Sequence, residues 1–451
     1  MTCTGPLTCS VLAGLVLLTS QAEAKTLKGQ VLLMRDGGSK EPASPAMVSI
    51  VGIGNPSVTK LDGGFEVFVP EILQPQTSIT LHVKFRNWVL SDPVEGELPL
   101  PENLDQTLVK ILLVQKGAPD LQAPAHIGKV MEKTLEESLT QVTQEGKSDD
   151  IDPYAFTKKW AAEKGVPENV ALSLVNDLKL QYSQSPDPTK RGIAAIFEKQ
   201  LDRAAANFDQ AASQKEQTRE ELLREIARLK SKKSGHVPSQ FPAPLYAAWH
   251  KEGTTGKRQT VSLENKTQQL KAMEEELRRI TEEIVEDLRK AGDAHYLNYK
   301  FEKAIDSYQK AFTYFTKEMN PTVWAALLIN LGNANLEMAK RTEGAKIRVH
   351  FQETIKAYSQ AQEVYARETF PQNWAATQMN LGIALSEQGT RATGADSQRL
   401  LAEGVAAYRA ALEVLTRQTL PQDWARTQMN LGNALSNQGT RATGADSQRL
   451  L

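Results

Sequence analysis

The C-terminal third of the chain repeats itself every fifty residues. Trp324, Trp374 and Trp424 keep that step, as do Pro321, Pro371 and Pro421. So do the pairs Leu331-Gly332, Leu381-Gly382 and Leu431-Gly432, the tyrosines Tyr308, Tyr358 and Tyr408, and the alanines Ala311, Ala361 and Ala411. A register held by Trp, Pro, Gly, Tyr and Ala together marks a one-dimensional array. Each unit of such an array buries its apolar face only against its neighbours, and the stack presents an extended surface to other molecules.

The rest of the sequence bounds what accompanies this array. A chain of 451 residues has room for two or three domains, and 40% apolar with 24% charged residues is ordinary for a globular protein. The net charge of −1 argues against a nucleic-acid-binding surface, so no nucleic-acid partner is expected. Residues 1–24 read as an export signal. Val11 to Leu18 is a short apolar run, and Ala22-Glu23-Ala24 is a small-residue cleavage site. The segment before the run contains no Lys or Arg, which is unusual for a signal, and a buried N-terminal strand is the alternative reading. The only cysteines, Cys3 and Cys9, lie inside this segment, so a processed chain would hold neither disulfides nor a cysteine nucleophile. No later apolar run is long enough to span a bilayer. An exported location, periplasmic or extracellular, is the expectation.

Residues 25–116 read as β. Ile79 to Phe85 alternates apolar and polar strictly, and Phe65 to Val69 does so with Phe68 on the polar face. Asp36-Gly37-Gly38, Gly54-Asn55-Pro56 and Asp62-Gly63-Gly64 supply turns. His82 falls on the polar face and is expected in solvent. Gly29-Gln30-Val31, Pro45 to Ile50 and Thr59 to Val67 resemble the motifs of the carboxypeptidase-regulatory, transthyretin-like β-sandwich. That resemblance implies a non-catalytic accessory module on an exported protein.

Residues 117–185 read as a helical connector, with Tyr154, Phe156, Trp160, Val170, Leu172, Leu174 and Leu178 as a small core. Long helices are expected over 186–233 and 261–282, separated by a Pro- and Gly-rich linker over 234–260. Their apolar residues recur at three- and four-residue steps, from Phe197 to Leu229 and from Leu270 to Leu288. An intramolecular hairpin and self-association through a coiled coil fit that spacing equally.

The array occupies 283–451. Its first unit places Gly292, Ala304, Tyr308 and Ala311 at the spacing of the tetratricopeptide (TPR) repeat, which it resembles closely. Small residues let the two helices of a unit approach, and large ones fill the gaps. The later units depart from the ~34-residue repeat by ten extra residues between the glycine and the tyrosine. In the third unit the insert, about Glu387 to Ala395, reads as a loop. Gln438 to Leu451 repeats Gln388 to Leu401 letter for letter, so the last unit is expected to be truncated and the array to continue in a longer protein. The fold class is therefore multidomain: an all-β sandwich, then all-α with long coiled-coil-like helices and a C-terminal TPR α-solenoid.

No chemical constellation stands out. Gly253-Thr254-Thr255-Gly256-Lys257 has two residues between its glycines where a phosphate loop needs four. The six histidines include no pair at metal-binding spacing. Neither an enzyme activity nor a cofactor is expected. The TPR resemblance instead implies a partner protein or peptide in the concave groove, contacted by Asn330, Asn333, Met379, Asn380, Ile383, Arg426, Met429, Asn430 and Asn433. Against this stands the reading that the asparagines bond helix to helix within the stack. Two rival functions are a regulatory half of a longer enzyme and an envelope adhesin led by the sandwich.

Overall fold

The computed structural model describes residues 25–35, 37–104, 106–145, 152–231 and 263–441. The export-signal reading of 1–24, the linker reading of 234–260 and the tail after 441 fall outside these residues.

The chain begins with two β-sheets. The first contains β1 (Lys25–Met34), β2 (Lys40–Pro42), β5 (Gly64–Val69), β7 (Trp88–Asp92) and β9 (Val109–Gln115). Here β2 and β5 share one edge of β1, and β9 runs parallel to its other edge. The second sheet has the order β4 (Ile53–Val58), β3 (Met47–Ile50), β6 (Ser78–Lys84), β8 (Glu97–Pro99). Alternation decides which face is inside. Ile79, Leu81 and Val83 of β6 are buried with Phe65, Val67 and Val69 of β5, while His82 and Phe68 are exposed. Two glycines permit close approach. A side chain at Gly29 would meet the Phe65 ring at 2.4 Å, and Gly63 turns at φ +79° beside the Val31 carbonyl.

Twelve α-helices follow among the described residues. The first four are α1 (Pro124–Glu145), α2 (Ala155–Lys164), α3 (Glu168–Ser183) and α4 (Pro188–Phe197). Gly165, left-handed at φ 73°, ends α2, and Pro167 stands before α3. Trp160 is buried here, with Tyr154, Phe156, Val170, Leu174 and Leu178 packed around it. This is no separate small core. The same apolar cluster runs on through Phe208, Ile284 and Tyr308.

The expected single helix over 186–233 is two helices. Lys199, at φ 57°, breaks the chain between α4 and α5 (Leu201–Ser231). The break lets α4 fold back on α5, with Gly192 against the Phe208 ring. The expected boundary at 282/283 is likewise absent, because α6 runs unbroken from Leu263 to Leu297. The helices α5 and α6 pair with each other in antiparallel fashion. Lys215 meets Asp287 at 2.6 Å, Arg219 meets Thr281 at 3.1 Å and Lys230 meets Glu274 at 2.7 Å. Leu222, Ile226 and Leu229 join one buried cluster with Met273, Ile280 and Ile284. The apolar stripe that could have driven self-association is thus covered within one chain.

The remaining helices are α7 (Phe301–Phe312), α8 (Pro321–Arg341), α9 (Lys346–Gln362), α10 (Pro371–Arg391), α11 (Gly394–Leu412) and α12 (Pro421–Arg441). Prolines 321, 371 and 421 each open a helix, where a missing N–H costs nothing. The tyrosine ring of one helix lies on the glycine of its partner: Tyr308 on Gly292, Tyr358 on Gly332 and Tyr408 on Gly382.

The ten-residue insert is not a loop. It lengthens both helices of the pair, leaving only Ala392-Thr393 between α10 and α11. Three contacts step in opposite directions along the two helices: Gly382 with Tyr408, Ser386 with Gly404, and Gly389 with Leu401. Gly389 therefore repeats, two turns on, the close approach made by Gly382. Ser397 adds a 2.7 Å hydrogen bond to the Gly389 carbonyl. A glycine that reads as a turn residue in sequence here serves helix packing.

The β region is fastened at two places. Its apolar cluster is continuous with Ala325, Leu328, Ala357, Tyr365 and Phe370, and Asn373 of α10 sits against Gly52. Beside α1 and α2, Glu95 accepts from Trp160 Nε1 at 3.0 Å and meets Lys164 Nζ at 3.1 Å, with His126 Nδ1 at 3.3 Å. Burial alone would push the Glu95 carboxyl up. The His126 hydrogen bond, the Lys164 charge and the Trp160 bond outweigh it and hold the group down at about 2.

Candidate partner-binding face

Three helices, α8, α10 and α12, carry the positions expected to meet a partner. Their polar groups follow from a constraint the sequence reading did not use. Each tyrosine that covers a glycine buries a hydroxyl, and a buried hydroxyl needs a partner. Tyr308 Oη donates to Asp293 Oδ1 at 2.6 Å, and Tyr358 Oη donates to Asn333 Oδ1 at 2.6 Å. Asp293 and Asn333 each follow their glycine directly, so the pattern Gly-Asp/Asn with a later Tyr is the readable sign of this bond. Burial pushes both tyrosine hydroxyls well above their ordinary value; the Asp293 charge adds to this at Tyr308.

Asp293 is completely buried. Besides Tyr308 it accepts from Asn330 Nδ2 at 3.0 Å and from Arg289 Nη1 at 2.7 Å. Asn330 thereby ties α8 to α6. Asn330 and Asn333 are engaged inside the stack, in agreement with the helix-to-helix reading of these amides. Met379 is 3% exposed and belongs to a core with Tyr408, Val405 and Ala434. It fills space between α10 and its neighbours, and a partner could reach little of it. Ile383 is half-buried and packs into the same junction.

The other positions differ. Asn380 and Asn430 are half-buried, Asn433 is exposed and Met429 is 61% exposed. Among the described residues, none of these three amides makes a side-chain hydrogen bond. Ile383 stands where Asp293 and Asn333 stand in the earlier helices, and it offers Tyr408 no acceptor. Arg426 is half-buried and pairs with Asp423 at 2.8 Å. Burial lowers its guanidinium below the ordinary value, opposed by the Asp423 charge. Along the described face the groups run from a closed ionic network at Asp293 to the half-buried, unbonded amide of Asn380 on α10; the residues after α12 lie outside the described ones.

The repeated tryptophans have a different task, at the edge of the stack. A cation lies over each ring: Lys317 over Trp324 at 5.7 Å, Arg367 over Trp374 at 5.3 Å and Arg417 over Trp424 at 6.0 Å. Two of these cations also reach a carboxylate on the next pair, Lys317 to Glu363 at 2.9 Å and Arg367 to Glu413 at 2.7 Å. The ladder links consecutive pairs and shares their fifty-residue step.

Among the described residues no group of three or more His, Cys, Asp or Glu is placed to hold a metal ion. No helix among them is long and apolar enough to cross a membrane. No protein-family model matches the chain, and no curated protein sequence matches it significantly.

Proposed function

We propose that the chain is an exported, non-enzymatic scaffold whose C-terminal helices form a TPR-type α-solenoid that holds a protein or peptide partner. The accompanying β region is, on this reading, an accessory sandwich of the carboxypeptidase-regulatory kind. The observation that carries the proposal is the coincidence of the fifty-residue step with a repeated glycine-on-tyrosine helix contact at Gly332 and Gly382. Units that stack in this way offer a continuous inner wall. The contact groups are Asn380, Arg426, Met429, Asn430 and Asn433, with Ile383 at their base. Asn330, Asn333 and Met379 support that wall from within. Amides beside apolar groups suit an extended or helical peptide, which brings its own backbone or amphipathic pattern.

The test is recovery of a partner by the full chain from an extract of its own compartment, compared with Met429→Glu and Asn433→Lys variants. Both residues are exposed among the described residues. The proposal expects one species to be recovered by the parent and lost from both variants. Equal recovery by all three chains would place binding elsewhere.

A further inference from the structure

Three helices enclose a trough that takes no part in the inner wall. It has a volume of about 570 Å³ and lies between α5, α6 and α7. The helices α5 and α7 run side by side in one direction. Lys300 reaches Asp202 at one end, and Lys310 reaches Glu216 at 2.7 Å at the other. These ion pairs close the two ends.

The middle of the trough is charged and unmatched. One wall is α5, with Ala206 and Asp209; the other is α7, with Lys303, Asp306 and Ser307. Leu288 and His295 of α6, two turns apart, form the floor. Among the described residues, Lys303 and Asp306 make no ion pair. His295 Nε2 stops 3.8 Å from Asp209, beyond hydrogen-bond length. His295 is 8% exposed, and its Nδ1 has no hydrogen-bond partner. A buried imidazole nitrogen left unbonded is costly. Here it borders a cavity that a ligand could enter.

We infer that this trough binds the zwitterion of a free α-amino acid. The ammonium lies against Asp209 and Asp306, and the carboxylate meets Lys303 and accepts a hydrogen bond from His295. A lone cation would leave Lys303 and His295 unanswered, and a lone anion would leave Asp209 and Asp306 so. A trough that carries both signs of charge selects a ligand that carries both. Leu288 and Ala206 leave an apolar strip for its side chain. The volume falls within the roughly 300–1,000 Å³ typical of small-molecule sites.

The experiment screens the full chain against each of the twenty free amino acids by thermal shift, then titrates the best by calorimetry. Saturable binding with Kd below about 1 mM is expected. The N-acetyl and methyl-ester derivatives of that amino acid should each bind at least tenfold more weakly. Asp209→Asn and Lys303→Gln should each weaken binding about tenfold while leaving the ligand-free melt unchanged, since both side chains reach solvent. Absence of binding by all twenty overturns the inference. So do derivatives that bind as tightly as the zwitterion, or variants that bind like the parent.

Discussion

Gly382 and Gly432 occupy the same place in two copies of one motif, Gln378 to Leu385 and Gln428 to Leu435. At Gly382 an added methyl group would stand 2.7 Å from the Tyr408 ring; at Gly432 nothing described lies within 4 Å. The two copies differ at Ile383 and Asn433, and the residues after 441 lie outside the described ones, so the tight junction is described at Gly382 and not at Gly432. The second pair, α8 and α9, lies further toward the closed extreme. Its glycine is covered, its amides are bonded, and its core continues into the β region. Sequence repetition sets what a unit can do. What packs against it determines which residues are covered.

That contrast can be broken at several points. The largest effect is expected at Gly332→Ala, which would drive a methyl to 2.5 Å from the Tyr358 ring. Because that ring is fully enclosed, denaturant titration should show a loss of about 3 kcal/mol. Next comes Glu95→Gln, which unpairs Lys164 and removes one ionic fastening of the β region to α1 and α2, leaving the pairs of Glu97 with Lys129 and Lys133. With its carboxyl held at about 2 against an ordinary 4.5, Glu95 contributes about 3 kcal/mol above pH 4.5. That contribution falls away as pH drops toward 2. An acid titration should therefore show the parent losing stability across this window while the glutamine variant, weaker at pH 7, changes less there.

Smaller effects sharpen the difference between pairs. Tyr358→Phe leaves Asn333 without its 2.6 Å donor and should cost about 1–2 kcal/mol. Tyr408→Phe should cost less, because Ile383 offers its hydroxyl no acceptor and the Ser386 hydroxyl stands by it instead. At the edge, Arg367→Gln removes both the ring contact and the Glu413 pair, for about 0.5–1 kcal/mol. Arg417→Gln removes the ring contact alone and should fall below that.

Much of the architecture was legible because it depends on local pattern. The alternation of Ile79 to Phe85 placed a strand with the correct face inward, and Pro371 and Pro421 marked helix starts. The insert around Gly389 was not legible as helix. Glycine and threonine favour turns locally, and only the distant Leu400 and Leu401 make a glycine useful there. The break at Lys199 carries no such mark, since a left-handed lysine is imposed by the packing of α4 on α5. At the candidate face, spacing placed the asparagines at equivalent helix positions but could not divide bonded from unbonded amides. Asn330 and Asn380 share a repeat position, yet only Asn330 faces a buried aspartate.

The central claim is that tyrosine-on-glycine contacts hold these helix pairs together. The most direct test compares Gly382→Ala and Gly432→Ala by denaturant unfolding in the full chain. The account predicts a loss of about 2–3 kcal/mol for the first, from overpacking, and no loss or a gain of up to about 1 kcal/mol for the second, from helix propensity. Equal losses at the two positions, or no loss at Gly382, would contradict it.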